Sequence, residues 1–199
     1  MREPIWKSYA IVTPQPILTP QQCQELVSIG QTEPQIKATI DGDKKEKQIN
    51  NEIRKSQISW IPFNKATHSY KIIVDWMQQA NTNFFAFDNM QMNEEAQYTE
   101  YSKGGFYNWH IDLHKNMKTM PPVRKISMSL LLNDPKEFQG GELEIFNEQL
   151  SNTGSKEHLI NLQQGQAIFF ASFFLHRVNA VTEGNRKSLV MWFGGTPFK

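Results

Sequence analysis

The spacing of apolar positions divides the chain into two halves of different character. Residues 5–12 (IWKSYAIV) read as a strand closed by Pro14 and Pro16. In 19-TPQQCQELVSIG-30, Thr19 is placed as N-cap, Pro20 as the first helical residue and Gln22 for a capping box, with Gly30 as the stop. Residues 31–52 are polar, charged and without periodicity, so they read as an exposed loop. Loops this long are uncommon unless they serve a function, and a lid is one such function. A strand over 53–61 (IRKSQISWI) ends at Pro62. A helix starting near Asn64 then runs through 68–80, with Tyr70, Ile73, Val74 and Met77 on its apolar stripe.

From about residue 95 the period shortens. Strand-like runs follow at 96–101, 106–112, 125–133, 142–146, 158–162, 166–171, 176–181 and 187–193. Turn signals such as KGG, NDP, QGGE, QQG and EGN separate most of them. Short strands in this number, without intervening helices, indicate an all-β sandwich or jelly roll. The expected protein is one domain over 1–199, mainly β with N-terminal helices. Residues 1–94 would form a helical and strand support, and 95–199 the jelly-roll core.

Composition narrows the classes of function. The chain has 199 residues and a formal net charge of +1, so it carries no overall electrostatic footprint for nucleic acid or an acidic membrane. A single cysteine, Cys23, excludes an intrachain disulfide and any Cys-rich metal cluster. The first residues lack the apolar core of a signal peptide and no run suits a membrane span, so a cytoplasmic location is expected.

The candidate chemistry sits in 107-YNWHIDLHKN-116. His110, Asp112 and His114 lie two apart, which on a strand would put all three on one face. An HxD pair alone is weak evidence, and two ligands hold a divalent ion poorly, so a third must be found. His176, opening the run 176–193, is preferred. His114 competes for the place, but three ligands from one strand would lie nearly in a row. Two imidazoles and one carboxylate with open positions form the facial triad of non-heme Fe(II) oxygenases. Of the other histidines, His68 reads as a surface or capping residue and His158 as solvated. Arg186, across the turn 182-TEGN-185, offers a bidentate fork for a dicarboxylate co-substrate, or is a surface arginine beside Lys187.

Ordered motifs then match a known family. The segment 101-YSKGGFYNWHID-112 resembles the Tyr-x5-Tyr-x2-His-x-Asp pattern of prolyl 4-hydroxylases among the 2-oxoglutarate/Fe(II) dioxygenases. The segment 165–193 resembles that family's second half: a Gly-started strand, a Ser before the metal His, and H-x-V-x-x-V followed by a basic residue. The hairpin 139-QGGELEIF-146 fits between them. The resemblance implies a double-stranded β-helix (jelly roll) with iron held by His110, Asp112 and His176. It also implies 2-oxoglutarate paired with Arg186 and hydrogen-bonded by Tyr101, O2 as the second co-substrate, and ascorbate as an accessory reductant. Arg at position 186 looks more like oxygen-sensing and bacterial members than the collagen enzymes, which usually carry Lys. Trp192 matches an aromatic in the last strand, where core packing is its expected role.

The implied reaction is hydroxylation of an unactivated C–H with release of succinate and CO2, and a prolyl residue in a peptide or protein is the expected target. Other amino-acid residues, small molecules or nucleic acid remain as alternative targets. The loops 32–52 and 114–125 would flank the iron; the second is locally basic (Lys115, Lys118, Arg124, Lys125). A non-catalytic jelly-roll module would need no triad together with Arg186. A zinc hydrolase would need a general base, with Glu142 and Glu144 the available carboxylates.

Overall fold

A computed structural model describes residues 9–37, 53–113, 122–146 and 157–197. The chain opens with β1 (Ala10–Val12), α1 (Pro20–Thr32) and β2 (Ile36–Lys37). β3 (Arg54–Lys55) and β4 (Gln57–Ile61) lead through a 3-10 turn at Phe63–Lys65 into α2 (Thr67–Ala80) and a π turn at Asn81–Phe85. Next come β5 (Gln91–Met92), β6 (Ala96–Tyr101), β7 (Phe106–His110) and β8 (Val123–Leu131). β9 (Phe138–Gly140) and β10 (Leu143–Phe146) follow in the chain but belong to different sheets. The last strands are β11 (Glu157–Ile160), β12 (Ala167–Ala171), β13 (His176–Val178), β14 (Val181–Gly184) and β15 (Arg186–Gly195).

Two antiparallel sheets face each other in a jelly roll. The large sheet runs β1-β12-β8-β15-β6-β4-β2, with β5 on the end of β15; the small one runs β11-β10-β13-β7-β3. β9 and β14 form a separate ribbon. Strands from before residue 94 hydrogen-bond to strands after it, β4 with β6 and β3 with β7. The expected strand over 53–61 breaks at Ser56, because there the chain crosses from the small sheet to the large one. The expected strand over 176–181 also divides, its second part leaving to pair with β9. β2, β5 and β9 escaped sequence reading because runs of two or three residues show no alternation.

The large sheet has two unlike faces. Ile126, Met128 and Leu130 of β8, Leu189, Met191 and Phe193 of β15, and Tyr98 of β6 pack outward under α1 and α2. The intervening residues face the small sheet, where Leu131, Leu143, Ile145, Ile168 and Phe170 form a second core. No described helix is long and apolar enough to cross a membrane.

The capping box at Thr19 is present: the Gln22 N–H donates to Thr19 Oγ1 at 3.2 Å, and the Thr19 N–H donates to Gln22 Oε1 at 2.8 Å. Gly30, however, does not stop α1, which continues to Thr32. Its role is contact: a Cβ there would lie 2.7 Å from Tyr98 Cβ, so the absent side chain lets the helix lie against β6. α2 begins at Thr67 and not at Asn64, the latter lying in the 3-10 turn; Tyr70, Ile73 and Met77 are buried as its stripe requires.

Gly30→Ala therefore sets two effects against each other. Helix propensity favours Ala by ~1 kcal/mol, whereas forcing a methyl against the base of Tyr98 costs about 1–3 kcal/mol. The melting temperature should fall by a few degrees in a thermal scan. A rise would show that the close approach is not tight.

Candidate metal centre

The pairing of β7 with β13 sets His176 directly opposite His110. Asp112 arrives by another route than the one expected. β7 ends at His110, so strand parity does not aim Asp112. The chain leaves the sheet, and the Asp112 N–H donates to the Ser172 carbonyl at 3.0 Å, which turns the carboxylate back toward the imidazoles. One ligand atom from each of His110, Asp112 and His176 then lies within 4.8 Å of the others. His114, the competing third residue, lies outside the described residues.

Both imidazoles are oriented from behind. His110 Nδ1 lies 2.8 Å from the Asn108 carbonyl, and His176 Nδ1 lies 2.9 Å from the Phe174 carbonyl. A carbonyl only accepts, so each Nδ1 carries a proton, which makes Nε2 the nitrogen with the lone pair when the ring is neutral. Those Nε2 atoms point at Asp112, His110 at 3.7 Å from Oδ1 and His176 at 3.5 Å from Oδ2. Tyr107 stacks on His110 with ring centroids 3.4 Å apart, and Phe170 meets His176 edge-on at 4.7 Å. The side chains of His110, Asp112 and His176 are 14%, 9% and 6% exposed.

Burial, and the neighbouring His176, push His110 down to about 3 from its ordinary 6.5, so it is neutral at physiological pH. Burial alone would raise Asp112, but His176, His110 and the Ser127 hydroxyl outweigh it and hold the carboxyl below its ordinary range. The buried Trp192 indole N–H lowers it further, although it makes no hydrogen bond of good geometry. Two imidazoles and one carboxylate are a donor set that fits a divalent iron with positions to spare.

On the inner face of the opposing large sheet lies Arg186. It is 4% exposed, donates from Nη1 to Ser188 Oγ at 3.0 Å, and lies 5.8 Å over the ring of its register partner Tyr101. Burial lowers its guanidinium, while Tyr101 and Glu142 partly oppose that. No described carboxylate forms an ion pair with it. A cavity of about 270 Å³ adjoins it, lined among others by Leu131, Gly141, Glu142, Leu143 and Leu162. Gly141, at φ +71°, has no room for a side chain: a Cβ would meet Val181 Cγ2 at 2.8 Å and Arg186 Cδ at 3.0 Å.

Several residues turned out otherwise than expected. Arg124 and Lys125 are not loop residues, since β8 starts at Val123. Arg124 pairs with Glu94 and stacks over Trp192 at 4.0 Å, and Lys125 is buried near Phe87. Lys115 and Lys118 lie outside the described residues, as do 38–52 of the expected lid. His68 is exposed, but His158 is half-buried on β11. Trp192 does pack, yet on the inner face, opposite Ser127. Glu144 is taken by Arg177 at 2.7 Å, on the face opposite to Ile145 and Leu143, so it is turned away from the histidines. Sequence reading passed over Ser127 and Ser188, whose signal was inward parity on their strands. It gave Tyr107 no role beyond its place in the motif, since the irregular β7–β13 register hides its position beside His110. It also passed over Arg54, a buried cation stacked on Tyr107 at 4.5 Å.

Residues 96–194 match the sequence model of the 2OG-Fe(II) oxygenase superfamily. A PKHD-type hydroxylase of Psychrobacter sp. (strain PRwf-1) is 36% identical over 100 residues, covering 48% of this chain and 36% of that protein. The chain thus spans about a third of that relative's length. A Pseudomonas putida prolyl-4-hydroxylase superposes with a TM-score of 0.68 at 22% identity, covering 95% of this chain and 94% of that one. A Trichoplax adhaerens prolyl hydroxylase, in complex with a hypoxia inducible factor oxygen degradation domain peptide fragment, gives 0.74 at 17%, covering 94% and 84%. The chain belongs to the 2OG-Fe(II) oxygenase superfamily.

The depressed His110 makes a pH prediction. Its folded value lies below its unfolded 6.5, so between the two the unfolded chain binds more protons. The metal-free protein should lose stability as pH falls from about 6.5 toward 3, and the low Asp112 adds a loss of the same sign at the acid end. Urea unfolding across pH 7.5 to 4.5 should show this decline, shallower in His110→Gln. Identical slopes for the two proteins would mean that His110 is not held neutral.

Proposed function

We propose that this chain is an Fe(II)- and 2-oxoglutarate-dependent dioxygenase that hydroxylates an unactivated C–H, and that its target is a prolyl residue in a peptide or protein. The observation that carries the reading is a juxtaposition. Three ligand atoms lie within 4.8 Å of one another, and a buried guanidinium with no described counter-ion stands further in on the same interior. A buried charge without a partner is costly in a stable fold unless a ligand completes it.

In this reading His110, Asp112 and His176 hold Fe(II). Iron bound there supplies O2 activation coupled to decarboxylation of 2-oxoglutarate to succinate and CO2. The protein's own part is to bind and orient. Arg186 takes the distal carboxylate of the co-substrate, its guanidinium leaning along β15 toward Ser188 and so toward the metal end. Tyr101 presents its phenol beside that carboxylate, and Leu131 and Leu143 give the adjoining cavity apolar walls. No side chain is required as acid or base. Support for a prolyl peptide comes from the named activities of the structural neighbours, and from exposed Ile111, Phe173 and Leu175, close in sequence to the ligands, which offer an apolar rim to a proline ring.

Anaerobic addition of Fe(II) and 2-oxoglutarate should produce the weak visible charge-transfer band of the chelate. His110→Ala, Asp112→Ala and His176→Ala should each abolish both the band and turnover. Absence of the band from the unaltered protein would sink the reading.

Arg186 allows a quantitative test. Truncating one side of a buried charge pair costs about 2–5 kcal/mol, so Arg186→Ala should raise the 2-oxoglutarate KM by roughly 30-fold or more, with Fe(II) affinity little changed. Arg186→Lys should fall between, since the charge stays and the fork is lost. Lys187→Ala should leave KM unchanged, because Lys187 shares the parity of Leu189 and Met191 on the helix-covered face. Sensitivity at Lys187 and silence at Arg186 would contradict the register.

A further inference from the structure

We infer that Ser172 and Ser127 form a one-way hydroxyl relay that positions Asp112 for the metal. The inference rests on the metal-binding reading above. Ser127 Oγ donates to Asp112 Oδ2 at 2.7 Å, and Ser127 Oγ lies 2.9 Å from Ser172 Oγ. A hydroxyl has one hydrogen to give. Ser127 spends its hydrogen on the carboxylate, which can only accept, so Ser172 is the donor to Ser127. The direction is fixed from Ser172 through Ser127 to Asp112. Both serines are 0% exposed, so water cannot substitute for either.

Ser172 holds Asp112 by a second route, because its carbonyl accepts the Asp112 N–H at 3.0 Å. Its own N–H donates to the Lys125 carbonyl at 2.9 Å, which ties it to β8. Two residues on, the Phe174 carbonyl receives the Nδ1 proton of His176. One short turn thus orients both the carboxylate and an imidazole. Ser127 sits at the crossing of three strands, opposite Trp192 on β15 and Phe170 on β12, which leaves its hydroxyl no other inward direction.

The consequence is a carboxylate with divided duties. Oδ2 accepts a hydrogen bond from the protein, which weakens it as a ligand, and Oδ1 keeps its lone pairs. Asp112 then occupies one coordination position, leaving room for a chelating co-substrate. Hydrogen-bond partners behind metal ligands typically set affinity by about 10–100-fold.

The test uses Co(II) as an air-stable probe, titrated calorimetrically into the metal-free protein. Ser127→Ala should weaken binding at least about threefold and up to the range above. Ser172→Ala should weaken it less, and Ser127→Ala/Ser172→Ala should be no weaker than Ser127→Ala, because a relay in series is already cut. Ser59→Ala is the control: that hydroxyl is equally buried and donates to the Gly30 carbonyl at 2.5 Å, so its loss costs stability without touching the metal. A smaller loss in Ser127→Ala, additive losses in the double variant, or equal weakening in Ser59→Ala would each overturn the relay. Should the unaltered protein itself take no Co(II), the metal-binding reading fails first.

Discussion

Everything in the interior depends on the period-two alternation of the large sheet, and above all of β8, β15 and β6. Their outward residues, among them Met128, Met191 and Tyr98, are apolar and covered by α1 and α2. Their inward residues are Ser127 and Ser129, Arg186 and Ser188, Gln97, Thr99 and Tyr101, all buried. A slip of one residue between β8 and β15 would carry Arg186 under the helices and put Leu189 into the polar interior. The apolar face thus enforces the register, and the register places the polar groups.

This division separates stability from chemistry. The outer core supplies apolar burial on the scale a domain requires, so the inner face is free to carry polar groups that contribute little to folding. Those groups are nonetheless matched. Ser188 receives Arg186, Gln97 receives Arg54, and Ser127 serves Asp112, so little buried polarity is left over. What is left over is informative: the Arg186 charge, without a described ion-pair partner, and the unsatisfied Trp192 N–H both belong to this inner face.

Much of this was legible in the sequence because it rests on local chemistry. Thr19 and Gln22 form a cap by their spacing alone, and the strand at 96–101 was read to its ends. His110, Asp112 and His176 could be singled out from residue type and order. What escaped was set by distant partners. Gly30 looks like a helix stop until Tyr98 is seen beneath it, and Arg124 looks like a loop cation until Glu94 and Trp192 pin it to β8. The reason for Asp112's direction was also misread. Parity along β7 was the natural argument, yet the strand ends at His110 and a hydrogen bond to residue 172 aims the carboxylate.

That last point bears on how such a site keeps its shape. His110 and His176 face each other across the β7–β13 pairing, whose one irregularity falls beyond them, between His176 and Val178, while Asp112 stands outside any strand. An irregular segment is softer than a ladder, so the carboxylate would be the least constrained ligand if nothing else held it. The contacts concentrate there accordingly: a backbone bond to Ser172, a hydroxyl from Ser127, and the nearby Trp192 indole N–H. The histidines, by contrast, each need only one carbonyl behind Nδ1 and a ring beside them. The number of supporting interactions follows inversely the regularity of the backbone that carries each candidate ligand, so the arm least held by its backbone is the most heavily braced.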